Sequence, residues 1–279
     1  MNKSYQKFSA KKTIFTGFMI AAILTSCSGN NEEPVTEVQT NTSNIENIKK
    51  GKLNGQTITY ERKNGMNFFQ GDIVLSDKQL SEGNSEKKGG ATLSRWPGGV
   101  VYYTVVNNMG TINADKIDIA VNEYNNLTNV QWVPRTNQPD YVEFIFGSPF
   151  GSDGWAAIGY QGGRQYISLD QHISIESIIH EMGHAIGLYH EHARQDRDDH
   201  ITILWENIRE SEYHNFEIYD SGIDIGPFNI NSMMMYWPHS YSKNGLPTII
   251  RADNTTFTYN RVGFTEGDIL TINAMYPNF

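Results

Sequence analysis

The sequence predicts an α+β fold for the chain from Gly89 onward. Short β-branched and aromatic segments cluster between Gly99 and Asp170, one amphipathic helix lies among them, and a histidine-rich helix leads into mostly irregular chain. Strands first, a long helix after, and little regular structure beyond is the pattern of segregated α and β elements.

Each element has its own signature. Gly99–Val106, GVVYYTVV, is β-branched and aromatic and reads as a strand. Asn113–Thr128 places Ile117, Ala120, Val121 and Tyr124 on one face of a helix. NVQWVPR and YVEFIF are short strands, and WAAIGY and RQYISLD are two more, separated by a turn at Gly162 and Gly163. Ser174–Gly187, SIESIIHEMGHAIG, is a helix with Ser174 as its N-cap and Gly187 as its stop.

The 279 residues carry a formal charge of -9, a poor balance for a sequence-independent nucleic-acid binder. No nucleic-acid partner is expected. The N-terminus carries Lys3, Lys7, Lys11 and Lys12 ahead of TIFTGFMIAAIL, an apolar run too short to span a membrane. LTSC then ends at Cys27, the single cysteine of the chain. The pattern resembles a bacterial lipobox, which makes residues 1–26 a lipoprotein signal peptide and Cys27 a lipid anchor. The alternative is an ordinary secretory signal cut nearby, with Cys27 incidental. A lone cysteine forms no intramolecular disulfide. Residues 28–48 are polar and read as a tether, residues 52–80 regain aliphatic and aromatic side chains, and SEGNSEKKGG breaks the chain again. Residues 1–88 hold 12 basic and 9 acidic residues, against 10 and 22 in residues 89–279. A basic segment ahead of an acidic domain is consistent with one covering the other.

The chemistry lies in HEMGHAIGLYH, His180–His190. Helix residues four apart share a face, so His180 and His184 aim their imidazoles at one point. That is the arrangement of two zinc ligands. Glu181 is about 100° round the axis and is placed to reach a water on the metal. Gly187 lets the chain leave the helix and bring His190 back as a third ligand. Three protein ligands with an open position describe a catalytic site, and four a structural one. Zinc lowers the pKa of bound water, and Glu181 can take its proton.

H-E-x-x-H-x-x-G-x-x-H resembles the metzincin zinc endopeptidases, and its continuation HEHARQDRDDHITI is similar to the astacin family in particular. RWPGGVVYYTV, GGRQYISL, NSMMMYWPHSYSKNGLPTI and RVGFTEGDILTINAMYPN extend the resemblance over nearly the whole domain. It implies a two-lobed domain: an N-terminal twisted sheet with the zinc helix, then an irregular C-terminal lobe. It implies one catalytic Zn2+ held by His180, His184 and His190, with Glu181 as general base. Met234 is then the Met-turn methionine under the metal. Tyr236 is a fifth ligand that swings to stabilise the oxyanion, and Glu191 anchors the mature N-terminus. The family's usual histidine is replaced here by Met235.

FFQGD, Phe68–Asp72, resembles the family's latency motif F-x-G-D, which makes Asp72 a zinc ligand in a zymogen; alone, the motif is also that of a surface turn. Cys27, if unlipidated, is a competing thiolate. The resulting organisation is signal peptide 1–26, tether and inhibitory region 27–88, and peptidase 89–279. Activation is expected after Lys88, with Arg95 the other candidate. Extended polypeptides are the expected substrates. A monomer is expected, anchored at the outer membrane or cell surface through Cys27, or released when the inhibitory region is cut away. The rival reading is an anchored binding protein that keeps zinc for structure. His172, His192, His200, His214 and His239 read as surface or capping histidines. Asp196–Asp199 reads as a salt-bridged run, or a calcium site. Trp96, Trp155, Tyr160 and Tyr166 read as core or strand-face residues.

Overall fold

The structure is a computed structural model that describes residues 47–82, 95–147, 154–258 and 263–277. Cys27, the signal peptide and the expected cut at Lys88 lie outside the described residues.

The described chain begins with a meander that sequence reading leaves unassigned. It comprises β1 (Ile48–Leu53), β2 (Gln56–Lys63), β3 (Met66–Phe69) and β4 (Ile73–Leu75), closed by the short helix α1 (Asp77–Glu82). Two-residue Asn-Gly turns make its first two hairpins. Asn54, Gly55, Asn64 and Gly65 all have positive φ, the turn geometry that matches strand twist.

The remaining elements fall close to expectation. They are β5 (Val100–Val105), α2 (Thr111–Leu127), β6 (Gln131–Pro134), β7 (Tyr141–Phe146), β8 (Gly154–Ala157), β9 (Arg164–Leu169) and α3 (Ile175–Ala185). The second lobe adds β10 (Ile201–Ile203), β11 (Ile249–Arg251) and α4 (Glu266–Met275). The expected irregular lobe therefore ends in a helix, started by a capping box between Thr265 and Asp268.

One nine-stranded sheet runs β1-β2-β3-β4-β8-β9-β7-β5-β6. Strands β6, β5, β7 and β9 are mutually parallel, and β8 is antiparallel to β9. The other edge of β8 is taken by β4, which runs parallel to it with Ile73 opposite Ala156.

Helix α3 is buried on every side from Ile178 to Ala185, so its polar groups need partners inside the protein. Ser174 caps its start by accepting from Ser177 N. At its end Gly187, at φ 108°, turns the chain out. The last carbonyls of a helix lack intrahelical donors, and two aromatic side chains serve them. Trp96 Nε1 donates to Ala185 O at 2.9 Å and Tyr276 Oη to Ile186 O at 2.7 Å. From the other flank the Tyr124 hydroxyl on α2 donates to Ile179 O. Trp96 and Trp155 are core residues, and Tyr160 and Tyr166 are partly covered.

Three apolar clusters follow this plan. One packs α2 and α3 against the sheet and reaches Met233 and Met234. A second fills the lower lobe around Ile201, Phe216, Met235 and Ile249. The third joins the meander to the rest: Leu53, Ile58, Phe69 and Ile73 meet Ile158, Ala193 and Tyr219.

Asp268 of α4 ties the lower lobe to the loop under α3. Its carboxylate accepts from Ser232 Oγ at 2.6 Å, Met233 N at 3.2 Å and Thr265 N at 2.9 Å. Hydrogen bonds to a buried charge are worth more than neutral ones. Asp268→Ala is expected to lower stability by about 3 kcal/mol, read as an earlier urea midpoint. An unchanged midpoint contradicts this role.

Candidate metal centre

The ring nitrogens of His180, His184 and His190 meet at one point, and each ring is fixed by its other nitrogen. His180 Nδ1 lies 2.8 Å from Met233 O and His184 Nδ1 2.7 Å from Leu188 O. His190 Nδ1 lies 3.1 Å from Gln70 Oε1. All three partners are acceptors, so each Nδ1 carries the proton and each Nε2 a lone pair. His180 Nε2 and His184 Nε2 then stand 3.1 Å apart as two acceptors. Buried lone pairs held this close call for a cation between them.

Asp72 completes the cluster. Its Oδ2 is 3.4 Å from His180 Nε2, and its Oδ1 is 3.4 Å from His184 Nε2 and 3.2 Å from His190 Nε2. Four ligands about 2.0–2.1 Å from a common tetrahedral centre stand about 3.3 Å from one another. The observed separations match those edges, and the three-imidazole, one-carboxylate set suits zinc. Burial pushes the Asp72 carboxyl up, but positive charge at the imidazole cluster outweighs it. The net result is a carboxyl well below its usual range.

A tight turn delivers Asp72. Gln70 and Gly71 both have positive φ, 50° and 84°. A Cβ on Gly71 would sit 1.9 Å from Tyr241 Oη, so glycine is required. Gln70 is fully buried; its backbone oxygen accepts from the Tyr236 hydroxyl at 2.5 Å. The segment then follows β8, with Ala156 N donating to Asp72 O and Ile158 N to Val74 O.

The other predicted residues surround this point. Glu181 is buried and lies against β8, its Cγ and Oε1 3.0 and 3.1 Å from where a Cβ on Gly154 would be. Met234 passes beneath α3, its Sδ 2.8 Å from the Cβ position of Gly183, and its carbonyl accepts from Glu191 N. Glu191 Oε1 accepts from Asn229 N at 2.6 Å and faces Arg194 Nε at 3.7 Å. Burial pushes its carboxyl up to about 7, against the pull of Asn229 and Arg194. Met235 is fully buried in the lower-lobe core.

His192 corrects the expectation of a surface residue. It is fully buried, and its ring stacks on Tyr236 at 3.8 Å between centroids. Its Nε2 donates to Asn215 O, and burial holds its pKa well below the usual histidine range. His214 is also buried. The Asp196–Asp199 run is salt-bridged as expected, with Arg197 on Asp198 at 3.0 Å and Arg194 on Asp196 at 2.8 Å. Sequence reading missed His192, Gln70, Tyr241 and Asp268. The TEGD capping box marked Asp268 and the FFQGD motif contains Gln70, and nothing local marked the buried places of His192 and Tyr241.

Comparison with known proteins agrees with this geometry. The family model described as Astacin, a peptidase family, matches residues 90–277. Zinc metalloproteinase nas-4 of Caenorhabditis elegans is 30% identical over 257 residues, covering 87% of this chain and 80% of that protein. Zinc metalloproteinase nas-15 of the same species is 31% identical over 226 residues, covering 75% of this chain; the match spans 39% of the relative's own length. High choriolytic enzyme 1, a hatching enzyme zinc-protease from the medaka fish Oryzias latipes, superposes with a TM-score of 0.61 at 27% identity. That match covers 69% of this chain and 98% of the fish enzyme.

With three imidazoles on one ion, removing a histidine should matter more than removing the carboxylate. His184→Ala is expected to be purified without zinc, and Asp72→Ala with one zinc per chain. Metal analysis of the purified chains checks this, and a zinc-loaded His184→Ala chain contradicts it.

Proposed function

The chain belongs to the astacin family of zinc metalloproteases, and from that premise we propose that it is an exported endopeptidase made as a latent precursor. Residues 1–26 serve as the signal peptide, Cys27 carries the lipid, residues 27–88 inhibit, and residues 89–279 hydrolyse protein substrates. The observation that carries the reading is the Asp72 carboxylate lying against all three Nε2 atoms of the histidine cluster.

His180, His184 and His190 would hold the zinc, and Asp72 would take the remaining ligand position until it is removed. When bound, the ion lowers the pKa of water toward neutrality and polarises the scissile carbonyl. Glu181 takes the proton of the attacking water and passes it to the leaving amine. The Tyr236 hydroxyl donates to the carbonyl oxygen as charge builds there, in the way it donates to Gln70 O in the latent chain. The outward N–H groups of Ala156 and Ile158, now serving Asp72 O and Val74 O, hold an extended substrate along β8. Latency then has two parts: a carboxylate on the metal ligands and a strand on the substrate edge.

Cutting after Lys88 removes both. The new ammonium at Gly89 then enters the pocket beside Glu191, walled by Ser232, Met234, Asp268 and Thr271. A buried carboxylate facing that pocket is a fitting partner for it. The Met234 side chain supports α3 from below at Gly183.

Digestion of casein tests the reading. The untreated chain is expected to be inert and the trypsin-treated chain active. Glu181→Gln should lower the treated activity by about a thousandfold, and a chelator should abolish it. A treated wild type that holds one zinc, has lost residues 1–88 and remains inert overturns the enzyme assignment in favour of a binding protein.

A further inference from the structure

Each ligand histidine is steadied at Nδ1, but not by the same part of the chain. For His180 and His184 the acceptors are the backbone oxygens of Met233 and Leu188. For His190 the acceptor is a side chain, Gln70 Oε1 at 3.1 Å, carried by the turn between β3 and β4 of the meander. The same turn meets the other end of the ring, with Asp72 Oδ1 3.2 Å from His190 Nε2. Residues on either side of Gly71 thus bracket one imidazole.

The turn is held in this form from several directions. Gln70 has a φ of 50°, a region that residues with side chains seldom adopt. Its backbone oxygen accepts from Asp72 N at 3.1 Å and from the Tyr236 hydroxyl. The Tyr236 ring in turn packs on His190 with centroids 4.6 Å apart. Phe69 anchors the turn on one side, edge-on to Tyr219 at 5.5 Å, and Ile73 is fully buried on the other. Strained residues maintained by their surroundings concentrate at functional sites. The Gln70 side chain is fully buried, and its Nε2 finds no hydrogen-bond partner among the described residues. A buried donor left unmade costs stability, a cost that an apolar side chain of similar size would not carry. The amide is therefore explained by its oxygen, not by packing.

An imidazole that ligates through Nε2 keeps its proton on Nδ1, and an acceptor there fixes the ring and raises the basicity of the ligating nitrogen. We propose that Gln70 is a positioning residue for the metal in the uncut chain: its amide oxygen takes the His190 Nδ1 proton and slows the release of zinc. The inference rests on the reading of His180, His184 and His190 as the zinc ligands. Asp72 takes a ligand direction, whereas Gln70 acts through His190. The segment that blocks the site thereby also keeps it loaded until it is cut away.

The test follows zinc release from the loaded, uncut chain to excess pyridylazoresorcinol, a chromogenic chelator. Gln70→Leu is expected to release the ion about tenfold faster than the wild type while remaining inert on casein. Gln70→Glu, which keeps an acceptor at that place, should release it as slowly as the wild type. After trypsin has removed residues 1–88, the wild type and Gln70→Leu should release zinc at one rate, because residue 70 has gone from both. Equal release from the uncut wild type and uncut Gln70→Leu overturns the proposal. So does equally fast release from the Leu and Glu variants, or a difference that survives cutting. Fast release joined to casein cleavage before cutting assigns the effect to an unseated segment and overturns it as well. A wild type that takes up no zinc instead removes the reading beneath it.

Discussion

Everything in this protein is arranged around three imidazole lone pairs that share one point. Each Nδ1 proton is committed to a carbonyl or amide oxygen, which leaves the three Nε2 atoms as acceptors facing one another. Without a cation that arrangement would be repulsive in a buried site. With one, it sets the metal's position and leaves one ligand direction open toward the cleft. Asp72 lies in that direction, so a carboxylate from the N-terminal meander closes the cluster.

Holding the rings there takes most of the surrounding core. Helix α3 is buried all round, with its terminal carbonyls served by Trp96 and Tyr276. Met233 contributes a carbonyl to His180, and Asp268 holds the Met233 N–H. A stability element in α4 is thereby two bonds from a metal ligand. Gln70 has a comparable double role on the other side, with its amide oxygen at His190 and its backbone oxygen at Tyr236. Under the proposed latency, its departure would release His190 Nδ1 and the Tyr236 hydroxyl together. The meander keeps that segment in register by adding four strands to the sheet and burying Phe69 against Tyr219.

The parts legible in the sequence were those encoded by local spacing. Histidines four apart on a helix must share a face, and a glycine at Gly187 must end it, so the ligand set could be read before any fold was known. The apolar stripe of α2 and the β-branched runs were equally local. The Asn-Gly turns of the meander and the TEGD capping box of α4 were also local signals, yet neither was read as part of a regular element. His192 and Tyr241 were not legible, since their roles come from residues far away in the chain. His192 is buried by the lower lobe, and Tyr241 meets Gly71 across 170 positions of sequence. The substitution at Met235 was visible, but its destination in the lower-lobe core depended on packing.

The central claim is that one zinc sits among three imidazoles and the Asp72 carboxylate in the full chain. Diffraction at the zinc absorption edge from crystals of the uncut protein tests it most directly. One anomalous peak is predicted, about 2.0–2.1 Å from the three Nε2 atoms and from an Asp72 oxygen. A peak elsewhere, or a peak at the histidines with the Asp72 side chain turned away and a water in its place, would contradict it.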